Sequence, residues 1–362
     1  MSPSRNIALV VDSLKPGGSE RVASEMANYW ARGGHRVSLI TLKKEPPFYE
    51  LEKGVRLEEL DVASGSAHLL AGLYNTYRRI RVLRERLKKL NPEVVIGFFT
   101  DINVLLVLAT RGLGMAVILT ERNHPGLHLV PLRWRIMRRR VYPLADCLVL
   151  QTSGAARWFS HYRVRRAVIP NPVREVRAAA DRGKPYILAV GRLTRQKGFD
   201  LLLKAYARSG LYPRWSLVVV GEGGERKSLE KLASRLGVVD GVHMPGLVKN
   251  IDHYFGEASF FVLSSRYEGF PNALAEAMSA GLPPVAFDCP YGPAEMIDHR
   301  TNGFLVTAGD VESLARNMID MADNPGMARE MGQQAAASVR GRLKQQAIMK
   351  QWDELAEELL AP

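Results

Sequence analysis

Tyr186-Ile187-Leu188-Ala189-Val190-Gly191-Arg192-Leu193-Thr194-Arg195-Gln196-Lys197-Gly198 is the stretch whose reading decides the fold. A short apolar run ends in glycine, a basic loop follows, and a helical pattern extends from Gly198 to Ser209. This reads as a buried strand, a loop at its C-terminal end and a covering helix. The unit recurs downstream. Leu217–Val220 ends in Gly221-Glu222-Gly223, and Ser228 to Leu236 is helical. Phe260–Leu263 precedes a loop and a helix near Asn272–Ala280, and Pro284–Phe287 is a further strand. From about Val311 the pattern is helical and includes Gln345 to Leu360.

The first half repeats the scheme. Ile7–Val11, Val37–Leu42, Val94–Phe98, Val117–Thr120 and Cys147–Gln151 read as strands. Ser19 to Ala31 has helical spacing through Val22, Met26, Ala27 and Trp30. Strands separated by helical patterns predict a mostly parallel sheet covered by helices. Ile169-Pro170-Asn171-Pro172 marks the boundary, because two prolines in three residues disfavour helix and stiffen the connection. The fold class is therefore α/β, with two doubly wound domains, residues 1–170 and 171–345. A C-terminal helix, residues 346–362, returns to the first domain. Ligands of such sheets bind beyond the C-terminal strand ends, so two facing domains would line a shared cleft.

Composition narrows the class. The 362 residues are 46% hydrophobic and 24% charged, with 31 Gly and 20 Pro, which excludes collagen, wholesale disorder and a disulfide-stapled mini-protein. Two cysteines, Cys147 and Cys289, make neither a disulfide framework nor a zinc site. The first apolar run stops at Asp12, too short for a signal-peptide core, and no apolar window of membrane-spanning length is present. The expectation is a cytoplasmic chain with peripheral membrane contact at most. The net charge of +13 is unevenly placed: residues 1–180 hold 29 basic and 15 acidic side chains, the remainder 21 and 22. All of the excess lies in one half, which predicts that this half faces a polyanion.

Candidate chemistry gathers in loops after strands. Asp12 to Arg21 contains Gly17-Gly18-Ser19, where glycines allow close approach of a ligand and Ser19 can cap the following helix. It is neither a dinucleotide fingerprint nor a P-loop. In the second half, Arg192 and Lys197 can clamp a diphosphate, Arg as a fork and Lys as a point charge. Gly221 and Gly223 can let a ligand approach the backbone. Glu268-Gly269-Phe270-Pro271-Asn272-Ala273-Leu274-Ala275-Glu276 places one carboxylate before a helix and another a turn inside it. Backbone N–H groups near Ala273 and Leu274 can hold phosphate.

Gly17-Gly18-Ser19-Glu20-Arg21, Gly191-Arg192 with Lys197-Gly198, Gly221-Glu222-Gly223 and Glu268 to Glu276 occur in an order that resembles retaining glycosyltransferases of family 4, with the GT-B fold. The chain looks most like bacterial enzymes that add sugars to polyprenyl-diphosphate-linked oligosaccharides, including N-acetylgalactosamine transferases of lipid-linked glycan assembly. The resemblance implies that Arg192 and Lys197 bind the donor diphosphate and stabilise the leaving group. Glu276 binds the ribose, Glu268 contacts the donor sugar, and Gly17 and Gly18 approach the diphosphate. It implies a nucleotide sugar as donor, no cofactor, metal-independent catalysis and retention. Many relatives carry a His in a first-domain loop near the reacting sugar. Here that loop reads Thr120-Glu121-Arg122-Asn123-His124-Pro125, and the role is open between His124 and Arg122; Glu121 can orient the acceptor or pair with Arg122.

Two basic segments supply the expected acceptor side. Residues 78–89 carry Arg78, Arg79, Arg81, Arg84, Arg86, Lys88 and Lys89 against Glu85, beside an apolar stripe that includes Leu73 and Tyr77. Residues 133–140 carry Arg133, Arg135, Arg138, Arg139 and Arg140, interleaved with Trp134, Ile136 and Met137. They are expected to meet an anionic membrane surface and a polyprenyl-diphosphate-linked glycan. No nucleic-acid recognition module accompanies the charge.

Overall fold

The computed structural model describes residues 4–62, 69–124, 126–127, 130–176 and 185–361. The chain divides into two compact units, one of Met1–Asn171 with Ile348–Pro362 and one of Pro172–Ala347.

The first unit runs β1 (Asn6–Val11), α1 (Gly18–Arg32), β2 (Arg36–Thr41), β3 (Val55–Glu59), α2 (Leu69–Leu90), β4 (Val94–Phe98), α3 (Thr100–Thr110), β5 (Ala116–Glu121), α4 (Leu132–Val141), β6 (Cys147–Leu150), α5 (Ser153–Trp158) and β7 (Arg166–Val168). The strands form a parallel sheet in the order β3-β2-β1-β4-β5-β6-β7. The second unit runs β8 (Tyr186–Val190), α6 (Phe199–Ser209), β9 (Ser216–Val220), α7 (Arg226–Arg235), β10 (Val242–Gly246), α8 (Ile251–Glu257), β11 (Phe260–Leu263), α9 (Asn272–Ser279), β12 (Pro284–Asp288), β13 (Phe304–Thr307), α10 (Val311–Asp323) and α11 (Pro325–Arg340), before α12 (Gln345–Leu360). Its parallel sheet has the order β10-β9-β8-β11-β12-β13. In both sheets the chain moves outward from the central strand and then restarts on its other side. The switch points lie between β1 and β4 and between β8 and β11.

Strands β1, β4, β5 and β6 are buried at every position, as helices covering both faces of a parallel sheet require. Four strands escape the sequence reading: β3, β7, β10 and β13. All four are sheet edges, and they lack the continuous buried run because one side has no neighbour. Pro245 and a register shift in β10 fit the same position.

Helix α12 packs its Ile348, Met349, Trp352, Leu355 and Ala356 face into the protein. The buried Trp30 of α1 donates Nε1–H to Asp353 at 2.7 Å, and Arg5 and Arg165 pair with Glu357 and Glu358. The first unit thus draws part of its core from the chain's far end.

Several sequence expectations change here. Helix α1 begins one residue before Ser19; Gly17 is its N-cap and no side chain caps it. Glu121 does not pair with Arg122. It turns toward Arg138 (3.7 Å) and accepts hydrogen bonds from Thr100 and Tyr142, whose hydroxyl in turn accepts from Asn103. Burial raises the Glu121 carboxyl above its usual range, and Arg138 partly offsets this. Arg138 is itself buried, with its guanidinium over the rings of Trp158, Phe159 and Tyr162. It therefore drops out of the surface cluster 133–140, as does buried Trp134. This network binds α3, α4 and β5 together. Removing Glu121 leaves Arg138 as an uncompensated buried charge. Glu121→Ala is expected to cost about 3–5 kcal/mol. The double replacement Glu121→Leu/Arg138→Met should cost less, as read from urea midpoints of the two variants.

Candidate active site

In the second unit the loops after β8, β9 and β11 meet beside the β8/β11 switch point. The residue after β8, Gly191, donates to Val220 of β9, and Leu193 donates to Glu222. Gly221 (φ +145°) would push a Cβ into the Gly191 carbonyl, and Gly223 would push one into Leu193. These glycines admit the neighbouring loop at backbone contact distance. Gly198 (φ +64°) sits against the Ser264 carbonyl, where no side chain fits. The 191–198 loop is thereby held between its two neighbours.

The result sorts its two key cations. Arg192 is exposed, and its guanidinium has no hydrogen bond or ion pair among the described residues. Lys197 turns inward, with Nζ 2.7 Å from Glu268 Oε1. Ser265 donates to the same carboxylate oxygen at 2.6 Å, and Ser264 donates to the Lys197 carbonyl at 3.0 Å. Glu268 is buried in the middle of the loop leading to α9. Glu276 is buried one turn inside α9, and Ala273 and Leu274 belong to the helix's first turn, whose N–H groups precede the intrahelical ladder. Cys289 is buried near this pair; burial pushes its thiol up, so it packs rather than reacts at neutral pH.

A second clamp fixes the loop from outside. Arg266 donates twice to Asp200, at 2.8 Å each, and once to the Arg195 carbonyl. These hydrogen bonds hold the Asp200 carboxyl below its ordinary range. Sequence reading missed this pair, because nothing in the spacing of residues 200 and 266 announces it.

In the first unit, Gly17 donates to the Tyr49 hydroxyl and accepts from it, and the Glu20 carboxylate fills the space beside Gly17. Gly18 opens α1. His124 is buried, and its Nδ1 accepts from the N–H groups of Gly126 (3.1 Å) and Leu127 (2.9 Å). The neutral ring then carries its proton on Nε2. Burial lowers its pKa, which keeps it neutral. Phe99, after β4, holds φ +74°, the left-handed region that is strained for a side chain of this size. Among the described residues no group of three or more His, Cys, Asp or Glu side chains could hold a metal ion.

Two parallel sheets of this order have the GT-B fold, and the family models that match the two halves support a glycosyltransferase, an enzyme that moves a sugar from a nucleotide-sugar donor. A family model for Glycosyltransferase Family 4 matches residues 16–177, and one for Glycosyl transferases group 1 matches residues 174–338. The chain is 29% identical over 323 residues to an uncharacterized glycosyltransferase of Haemophilus influenzae, covering 87% of this chain and 89% of that protein. It is 26% identical to an α-1,4-N-acetyl-D-galactosaminyltransferase of Campylobacter jejuni named for a diNAcBac-PP-undecaprenol-linked glycan, over 90% and 91% of the two chains. The solved structure of sucrose-phosphate synthase from Thermosynechococcus elongatus shares the fold, with a TM-score of 0.86 over 98% of each chain and 19% identity.

The Asp200–Arg266 clamp makes a pH-dependent contribution of known sign. The Asp200 pKa is lowered on folding, so its stabilisation is complete above the ordinary value of about 4 and is lost as pH falls through the lowered one. Asp200→Asn should flatten the acid limb of the stability profile. It should also weaken nucleoside-diphosphate binding at pH 7 by about 0.5–1 kcal/mol, because the pair is partly exposed. Chemical denaturation across pH and calorimetric titration read the two effects.

Proposed function

We propose that the chain is a retaining hexosyltransferase that takes a sugar from UDP-N-acetylhexosamine or UDP-hexose and transfers it to a hydroxyl of a lipid-linked glycan. The observation that carries the reading is that one loop presents an exposed, unengaged Arg192 guanidinium and an inward Lys197 held by Glu268, whose carboxylate also accepts from Ser265. Breaking the anomeric carbon–phosphate bond builds negative charge on the leaving diphosphate. Preorganised cations and helix N–H groups stabilise that charge without reorganising. Arg192 supplies a fork for the phosphates, Lys197 a fixed point charge, and the Ala273 and Leu274 N–H groups the anion-binding end of α9. Glu276 takes the ribose hydroxyls and Glu268 the sugar hydroxyls. Same-face attack lets the leaving phosphate accept the acceptor's proton, so no protein base is required. His124 contacts the donor sugar, and Gly17 and Gly18 approach the diphosphate from the first unit, residues 1–170 in this reading.

The first unit also presents the acceptor side. Helices α2 and α4 both pack on α3, and each turns apolar and basic residues outward. On α2, Leu73 (62% exposed) and Tyr77 (61%) do not join the core as a stripe packing on the sheet would; with Tyr74 they are open to solvent beside Arg78 and Arg81. On α4, Leu132 and Ile136 stand exposed among Arg133, Arg135, Arg139 and Arg140. Exposed apolar residues ringed by arginine suit an anionic lipid interface. Three other basic residues of α2 have structural work: Arg84 donates to the Ala109 and Arg111 carbonyls at the end of α3, Arg79 to the Val62 carbonyl, and Arg86 to Glu58. No helix among the described residues is long and apolar enough to cross a membrane. We place the enzyme peripherally on the inner face of the cell membrane, with a polyprenyl-diphosphate-linked glycan as acceptor. The second reading is a GT-B transferase of lipopolysaccharide or capsular polysaccharide assembly with a different acceptor; the relatives include an amylovoran biosynthesis glycosyltransferase of Erwinia amylovora, 23% identical over 96% of this chain.

A nucleotide-sugar panel with a lipid-diphosphate acceptor, followed by linkage analysis of the product, tests the assignment; an inverted anomeric configuration would refute retention. Arg192→Gln and Lys197→Gln are each expected to lower kcat by roughly 100- to 1,000-fold, the usual effect of removing one transition-state charge donor. Replacing Arg78, Arg81, Lys88 and Lys89 together with Gln should weaken binding to anionic vesicles by roughly 100-fold or more, at about 1 kcal/mol per charge. Activity on a water-soluble acceptor should be unaffected. Arg84→Gln should act differently, lowering stability because it uncaps α3.

A further inference from the structure

Strands β5 and β6 pair in register, with Glu121 opposite Leu150. The next residue of each, Arg122 and Gln151, therefore stand side by side at the sheet's C-terminal edge. Both are almost wholly buried, at 7% and 3% exposed. Each keeps a hydrogen-bond donor with no partner, Arg122 Nη2 and Gln151 Nε2. The rest of Arg122 is held firmly. Its Nε donates to Thr120 Oγ1 at 3.1 Å, its Nη1 donates to Asn171, and its guanidinium lies 4.6 Å from the centre of the Phe98 ring. Asn171 follows β7, on the far side of β6. The guanidinium is thus held at the sheet's C-terminal edge between the Phe98 ring at the end of β4 and Asn171 beyond β7, with Gln151 at the adjoining end of β6.

This arrangement fixes the direction of the guanidinium but supplies no countercharge. Among the described residues no carboxylate pairs with Arg122; the nearest acid in sequence, Glu121, is committed to Arg138, Thr100 and Tyr142. Burial alone lowers the Arg122 pKa, to about 9, which still leaves it charged at pH 7. A buried cation without an anion is a costly arrangement unless something else supplies the anion. Here it stands where open α/β sheets take their ligands.

We propose that Arg122 and Gln151 form an oxyanion subsite that takes a phosphate or carboxylate group of the acceptor. The guanidinium supplies the charge and one N–H, and the Gln151 amide supplies a second. Neither nitrogen is open to solvent here, so contact takes a side-chain rotation toward the strand edge. That the anion belongs to an acceptor rests on the glycosyl-transfer reading; the anion site itself does not.

The test uses the full chain carrying Arg192→Gln and Lys197→Gln, so that the donor-side cations do not contribute. Calorimetric titration with inorganic phosphate, inorganic pyrophosphate and D-glucuronate is expected to show millimolar or tighter binding of at least one. Gln151→Met should weaken it at least tenfold, Arg122→Gln should abolish it, and Arg122→Lys should retain part. Stronger binding of phosphate or pyrophosphate assigns the site to a lipid diphosphate; stronger binding of glucuronate assigns it to an acidic sugar. No binding of any of the three overturns the proposal. So does binding unmoved by Gln151→Met in a chain with an unchanged circular dichroism spectrum, and this variant decides if Arg122→Gln does not fold. The donor assignment is read separately, from UDP affinity with and without the Arg192 and Lys197 replacements, so the two ideas fail independently.

Discussion

The loop between β8 and α6 must pass between two neighbouring loops at backbone contact distance, and much of the second unit's chemistry depends on that constraint. Gly221 and Gly223 leave room for the carbonyls of Gly191 and Leu193, and Gly198 leaves room for that of Ser264. With its path set on both sides, the loop has little freedom left. Lys197 is delivered to Glu268, and Arg192 is left facing outward. A side chain at any of the three glycines would displace the cations before touching a substrate. The glycine signature thus meets a packing requirement.

The first unit solves a different problem, that of holding charge indoors. Glu121 and Arg138 offset each other within a ring of hydroxyl, amide and aromatic partners, which ties two helices to a strand. Arg122, one residue on, is held by Asn171, Thr120 and the Phe98 ring without a negative partner. Adjacent residues of one strand end thus differ, one paired with an opposite charge inside the fold and one buried without a carboxylate partner among the described residues. The positive excess of this half divides in the same way. Arg79, Arg84, Arg86 and Arg138 close internal bonds, while Arg78, Arg81, Arg133, Arg135, Arg139 and Arg140 face solvent.

Much of this was legible in order along the chain. Central strands of a parallel sheet are buried on both faces, so Ile7–Val11, Val94–Phe98 and Phe260–Leu263 stand out as unbroken apolar runs. The edge strands Val55–Glu59, Arg166–Val168, Val242–Gly246 and Phe304–Thr307 do not, because an edge is only partly covered. The motif residues Arg192, Lys197, Glu268 and Glu276 were found by spacing and resemblance. Asp200 and Arg266 were not, because they lie 66 residues apart and meet only when α6 and the loop after β11 are brought together.

The sequence by itself determined the α/β class, the alternation that makes two parallel sheets, the position of the proline-rich boundary and the uneven charge. These depend on local hydrophobic pattern, backbone restriction and composition, all of which are properties of neighbouring residues. Only the tertiary structure decided which charges are free. Arg192 and Arg138 look alike in the sequence, yet one is exposed and unengaged while the other is buried against three aromatic rings. Whether a cation serves a substrate or the fold depends on which groups from distant segments reach it first, and that is settled by packing.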